Sequence, residues 1–248
     1  MKPMFFLLLY SLFFLTVACN KSNNSQPIQQ IPKLSLPNDI TANPIQLNSI
    51  PLKVGNTWTY TIQTQQYCLV QNSPIASDTF SIAVTADTFI NGFLIIKLMA
   101  TSQGAPYSPF FLGSLVLSST EYYYQDSTGL YQLPALDHVD SNYIKDSTWN
   151  IVQYPSVMGN NWASEEPNGT GDPNLVYQWV GSDSVIVPTG RFNCVKLNIT
   201  NPMLSTYQYY SAKGLIQAIQ AIYLGPELGP GKGPIYNITV IRLIGINF

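Results

Sequence analysis

PLKVGNTW (residues 51–58) and PSVMGNNW (residues 155–162) are one phrase written twice, with Pro, Gly, Asn and Trp at matching offsets. The matched pairs are Pro51 and Pro155, Gly55 and Gly159, Asn56 and Asn160, and Trp58 and Trp162. A proline fixes an extended approach, and an adjacent Gly-Asn can take positive φ and turn the chain sharply. The tryptophan two residues on then opens a strand and can lay its ring on the concave side. Each phrase therefore predicts a corner that enters a strand and stoppers the core with an indole. Coincidence is the competing explanation, since Gly-Asn turns are common. The four shared offsets favour a structural repeat.

Outward from the first phrase the chain alternates with period two. Trp58, Tyr60 and Ile62 interleave with Thr59, Thr61 and Gln63; Phe80, Ile82 and Val84 with Ser81, Ala83 and Thr85; Val195, Leu197 and Ile199 with Lys196, Asn198 and Thr200. Such alternation marks half-buried strands. Further strands are expected at Gly92–Thr101, Glu121–Gln125, Leu130–Leu133, Val176–Val187, Thr206–Ser211, Leu215–Leu224 and Ile235–Ile246. Asn91-Gly92, Thr128-Gly129, Thr189-Gly190 and the stretch GPELGPGKG (225–233) punctuate them. Short helices are expected at most within Leu112–Ser118 and Ala135–Tyr143. The expected fold class is all-β: a curved antiparallel sheet or incomplete β-barrel built from two meander halves, 49–150 and 151–248, each of about five strands. Two separate domains are the competing picture.

The chain opens with Lys2 and the apolar run Met4–Val17. That run is shorter than the roughly 20 residues of a spanning helix and fits a secretory signal. Thr16-Val17-Ala18-Cys19 resembles the lipobox of bacterial lipoproteins in its looser form, with Thr16 where leucine is usual. The resemblance implies that residues 1–18 are removed and that Cys19 carries acyl chains such as palmitate. An ordinary cleaved signal, with Cys19 incidental, is the alternative. Residues 20–44 are rich in Asn, Gln, Ser and Pro; they cannot bury enough apolar surface to fold, so 19–48 reads as a tether. Several acyl chains on Cys19 would make the membrane attachment stable. Asn20-Lys21 lacks the aspartate of inner-membrane retention, which points to the outer membrane. No acidic patch follows, which points to its periplasmic face, with the cell surface as alternative.

Charged residues make up 10% of the chain and the net charge is −2, against about 25% charged in an average soluble domain. Nucleic acid is therefore not an expected partner. Cys68 and Cys194 could form a disulfide in an oxidising compartment, worth about 5 kcal/mol in the chain-entropy model. Strand parity does not support the pairing, and two isolated small hydrophobes are the equal alternative.

Pro51–Trp58, the phrase VPTGRFNCVK (187–196) and YYSAKGLI (209–216) together resemble a family of Bacteroidota lipoproteins of unknown function. The resemblance runs from about Pro51 to Ile222, without a match over Tyr107–Tyr154. That family is similar in turn to periplasmic lipoprotein-carrier-like β domains, which implies a curved sheet around an apolar hollow with a short helical lid. It transfers no binding residue.

Motifs that carry chemistry are scarce. His138, flanked by Asp137 and Asp140, is the single histidine, whereas a zinc site wants three or four ligands and a triad wants a nucleophile on a strained turn. Glu165 and Glu166 are adjacent, so on a strand they would point to opposite faces, unlike a glycosidase pair. Residues 168–174 offer oxygen donors without the spacing of an EF-hand. No enzyme, metal or cofactor is expected. Binding is. Tyr122–Tyr124, Tyr207, Tyr209, Tyr210, Trp149, Trp162 and Trp179 supply rings with polar tips, and Phe93–Met99 and Leu215–Leu224 are apolar on nearly both faces. The leading expectation is a non-enzymatic, lipid-anchored envelope protein that binds a hydrophobic or lipid-like ligand in a concave β cavity. The alternative is a recognition or adhesion module for glycan or protein, using exposed Tyr and Trp. An outer-membrane barrel, suggested by Ile244-x-Ile246-x-Phe248, is third and conflicts with the tether and with the Lys, Asp and Asn along the strands.

Overall fold

The structure, a computed structural model, describes residues 46–67, 74–102, 120–133, 136, 139–140, 142, 148–164, 175–226 and 234–248. They form twelve strands: β1 (Thr57–Tyr67), β2 (Ala76–Ile90), β3 (Phe93–Ser102), β4 (Thr120–Gln125), β5 (Gly129–Leu133), β6 (Trp149–Gln153), β7 (Asn161–Ser164), β8 (Leu175–Val187), β9 (Gly190–Asn201), β10 (Leu204–Ser211), β11 (Gly214–Pro226) and β12 (Pro234–Asn247). All belong to one sheet, ordered β6-β5-β4-β3-β2-β1-β12-β11-β10-β9-β8-β7. The chain is thus two six-stranded antiparallel meanders, β1–β6 and β7–β12, fused where β12 pairs with β1 from Thr57↔Asn247 to Tyr67↔Tyr236. A closed ring in this order would have a second, equivalent junction between β6 and β7. That junction carries no ladder, so the sheet is curved and open.

Each half has six strands where five are expected, because β6 and β7 escape a reading by alternation. β7 is only four residues long. In β6, Ile151 and Val152 are consecutive and both buried, beside a register shift opposite Leu130 and Tyr131 that breaks the period of two. Further bulges at Thr59/Tyr60, Val84/Ala86, Trp179/Gly181 and Tyr209/Tyr210 bend their strands. The curvature is strong enough that β8 comes close to β11 and β12 although other strands separate them in the sheet.

The repeated phrase makes the same corner twice. Gly55 and Gly159 both have positive φ, 95° and 86°. Gly55 N–H donates to Val84 O at 3.0 Å, Asn56 N–H to Lys53 O at 3.0 Å, and Val84 N–H to Asn56 O at 3.0 Å. In the second copy Gly159 donates to Trp179 O at 2.8 Å, Asn160 to Val157 O at 3.1 Å, and Trp179 to Asn160 O at 3.0 Å. Two differences remain. Asn56 is buried and its Nδ2 donates to Pro51 O at 2.7 Å, whereas Asn160 is exposed. Trp58 is 2% exposed, whereas Trp162 is half-buried.

One hydrophobic core serves both halves. Trp58, Tyr60, Phe80, Tyr123 and Val152 from the first share it with Tyr177, Trp179, Leu197, Tyr210 and Leu243 from the second, and Trp162 packs against it. A smaller cluster of Ile95, Leu133 and Val139 lies apart, with Phe93, Tyr122 and Tyr124 against it. Apolar side chains face inward and Thr59, Thr61, Gln63, Lys196 and Arg242 outward, the reverse of a membrane barrel.

The two ends of the sheet differ. At one end tight turns at 91–92, 126–128, 188–189 and 212–213 join the strands, together with the link 154–160. Residues 46–52 strap across this end. Leu47 N–H donates to Ser156 Oγ at 2.7 Å and Ser156 N–H to Leu47 O at 3.0 Å. Ile50 and the Gln125 amide exchange bonds of 3.0 and 3.1 Å, and Tyr154 OH donates to Gln125 Oε1 at 2.8 Å. Leu47 and Ile50 are buried in the core, so the strap seals this end. At the other end the connections are 68–75, 103–119, 134–148, 165–174 and 227–233, plus the tight turn Pro202–Met203.

Candidate functional site

The residues singled out for chemistry fall outside the described residues: Cys19, Cys68, His138, Glu165, Glu166 and the 168–174 string. The connections that contain His138, the glutamates and residues 227–233 all join strand ends opposite the strap. Among the described residues no three His, Cys, Asp or Glu side chains gather as a metal site. Cys194 is a free, fully buried thiol, with Sγ 3.6 Å from Phe192 O. Burial pushes it up to about 12, with Asp183 adding to the shift, which makes it unreactive at neutral pH. Cys194 lies on the Lys196 side of β9, opposite Asp183 of β8, and is covered nonetheless.

The interior reads as successive rows across the sheet. Nearest the strap, Trp58 Nε1 donates to Lys213 O at 2.7 Å and its ring meets Phe248 edge-on at 5.6 Å. Tyr60 stacks on Phe80 at 5.3 Å and its hydroxyl donates to Leu215 O at 3.0 Å. Burial raises the Tyr60 and Tyr210 hydroxyls far above the usual phenol range, so both act only as neutral donors. Trp162 stacks on Tyr177 at 5.4 Å, and Trp179 meets Tyr210 at 6.4 Å. These rings fill the strap end of the enclosure, where the expected hollow is a packed aromatic core.

Away from the strap the chemistry changes. Thr64, Thr239, Gln220 and Thr206 are register neighbours across β1, β12, β11 and β10. They form one polar row on the inner face, beside Ile199. The Thr64 and Thr239 hydroxyls are 3.3 Å apart. Gln208 lies next along β10, fully buried, and accepts the Tyr210 hydroxyl at 2.8 Å. Thr206 is 1% and Gln220 5% exposed, yet Thr206 Oγ1 and Gln220 Nε2 have no hydrogen-bond partner among the described residues. An unsatisfied buried hydroxyl or amide costs about 1–3 kcal/mol. Ile222, Leu204 and Leu175 stand on the inner face still nearer the rim. The rim is therefore amphiphilic inside, apolar on one side and rich in hydroxyl and amide groups on the other.

No protein-family model matches the chain, and no curated protein matches it. The matches are structural only. A Bacteroides fragilis protein described as exported with a YmcC-like fold is 11% identical, covers 80% of this chain and 98% of its own, and has a TM-score of 0.38. A protein described as a lipoprotein from Parabacteroides distasonis is 10% identical over 80% of this chain and 97% of its own, at a TM-score of 0.34. A LolA superfamily protein from Nitrosomonas europaea is 10% identical over 81% of this chain and 88% of its own, at 0.18. Scores this low carry no inference about ligand or site.

The seam between β6 and β7 was not visible in the sequence. Trp162 Nε1 donates to Asn150 O at 2.8 Å, and Trp179 Nε1 to Gln153 O at 3.1 Å. Indoles from the second half thus bridge to carbonyls of β6 where a ladder would otherwise run. The second phrase places one of these rings, which gives the repeat a function in closing the enclosure.

Proposed function

We propose that this chain is a non-enzymatic, lipid-anchored binding protein of the cell envelope. It would be held through Cys19 in the outer membrane, with the domain on the periplasmic face. Its site is the interior rim opposite the strap, and its ligand a hydrophobic or lipid-like molecule that carries a hydrogen-bonding group. The observation behind this reading is the polar row, in which Thr206 Oγ1 and Gln220 Nε2 are buried without partners among the described residues, beside Ile199 and Ile222. A ligand oxygen would satisfy both groups while its hydrocarbon part covers the apolar side, so the desolvation penalty is offset only on binding.

The test is native mass spectrometry of the lipidated protein from its own host, followed by Thr206→Val. Wild type should carry a co-purifying amphiphile. The valine variant, freed of an unsatisfied group, should lose that cargo and melt about 2–4 °C higher when delipidated. A wild type without cargo, or a variant that keeps it and melts lower, overturns the site. Replacing Cys19 with serine should move the protein into the soluble fraction and abolish palmitate labelling.

A further inference from the structure

On the outer face at the same end, Tyr67, Tyr236 and Tyr223 stand side by side on β1, β12 and β11, with Tyr67↔Tyr236 and Tyr223↔Tyr236 in register. The Tyr223 N–H donates to Met203 O at 2.8 Å, which brings the β9–β10 turn alongside the row. Tyr67, Tyr236 and Met203 are all exposed. The Tyr223 and Tyr236 rings touch, with centroids 5.7 Å apart and planes tilted by 52°, and make one continuous aromatic wall. One step along the strands, the outward positions are the small Ala221 and Ser205, themselves register partners. Small residues beside large rings leave a groove of about 320 Å³, lined by Pro202, Met203, Ser205, Ala221, Tyr223 and Tyr236 among others.

The lining fixes the ligand's character. Among the described residues it contains no Asp, Glu, Lys or Arg, so none of these lining groups compensates a charged ligand. The groove is open and at the small end of ligand sites, which run from roughly 300 to 1,000 Å³; an acyl chain would lie half in water. Ring faces with hydroxyl tips suit a ligand with an apolar face and a polar edge, which a pyranose has. The Asn201 side-chain oxygen already accepts the Met203 and Leu204 N–H groups at 2.8 and 2.7 Å, which holds the turn in place and leaves Ser205 and the phenols for the ligand. The wall sits on interior strands of the sheet, a rigid support.

We propose that this groove binds a short neutral saccharide, one sugar ring laid over Ala221 and Ser205 against the touching Tyr223 and Tyr236 rings. The site is on the opposite face from the interior row and does not depend on it.

The test is calorimetry or saturation-transfer NMR with the lipidated full chain, in a detergent without a sugar headgroup. The probes are neutral malto-, cello-, manno- and N-acetylglucosamine oligosaccharides. At least one series should bind. Tyr236→Ala and Tyr223→Ala should weaken it about tenfold, the loss of one stacking contact, and Tyr236→Phe should retain most of it. Tyr207→Ala, also outward-facing but lying under Lys196, should bind as wild type, as should Thr206→Val, which separates this site from the interior one. The proposal is overturned if no series binds, if binding ignores both alanine variants, or if the tyrosines instead govern attachment to phosphatidylethanolamine vesicles.

Discussion

At Gly214 the backbone sits at φ +98°, and a Cβ built there would lie 3.1 Å from Trp58 Nε1. That nitrogen cannot retreat easily, because it donates to the carbonyl of Lys213 next door. Gly159, at φ +86°, has nothing within 4 Å of the same position. The pair separates conformational strain from steric conflict. Gly159→Ala should cost about 1–2 kcal/mol, the penalty for a side chain at positive φ. Gly214→Ala adds overpacking against a fully buried indole and should cost about 3 kcal/mol or more. Urea midpoints at constant m-value would show it; equal shifts for the two variants would mean that Trp58 is not held as rigidly as its bond to Lys213 implies. The corner glycines were legible in the sequence because Gly-Asn before Trp is a local signal. Gly214 as a seat for Trp58 was not, since the contact joins residues far apart in the chain.

Among the elements, the junction that distinguishes this sheet from a ring is β6–β7. Phe at position 162 would keep the stack on Tyr177, which is nearly parallel at 11°, but would remove the donor to Asn150 O. Trp162→Phe should therefore destabilise the protein by only about 1 kcal/mol while opening the seam. Hydrogen exchange should quicken in β6 and β7 and stay unchanged in β1 and β12, whose ladder is continuous. A uniform change across the sheet would show that the indole bond does not close the seam. Strand reading recovered ten strands because alternation there is strong, but it left the faces of β10 open. The structure buries both Tyr209 and Tyr210, and turns Thr206 and Gln208 inward with Tyr210. Lys196, 4.0 Å from the centre of the Tyr207 ring, covers that ring on the outside. Large aromatic residues with polar tips satisfy either face, so the polar row stayed hidden until cross-strand register revealed it.

For the whole molecule, the issue is whether the two meanders are one folding unit. The β12–β1 ladder and the common core say that neither half can bury its apolar face alone: Trp58, Tyr60 and Phe80 need Leu215, Tyr210 and Leu243. Residues 46–154 and 155–248, divided in the link between β6 and β7 rather than within β6, should each lack near-UV circular dichroism and bind hydrophobic dye when expressed separately. A circular permutant offers the opposite case. The domain ends are neighbours, since Thr57 pairs with Asn247 and Phe248 touches Trp58. A flexible linker from Phe248 to Gln46, with new termini between the exposed Val157 and Met158, cuts no ladder and keeps both partners of the Leu47–Ser156 bonds. This permutant should unfold in one transition, with circular dichroism and tryptophan fluorescence coincident. Its stability should fall within about 2 kcal/mol of the parent, the scale of loop-closure differences. Two separated transitions, or a folded isolated half, would mean that the repeat built two domains, and the shared interior on which the rim site depends would not exist.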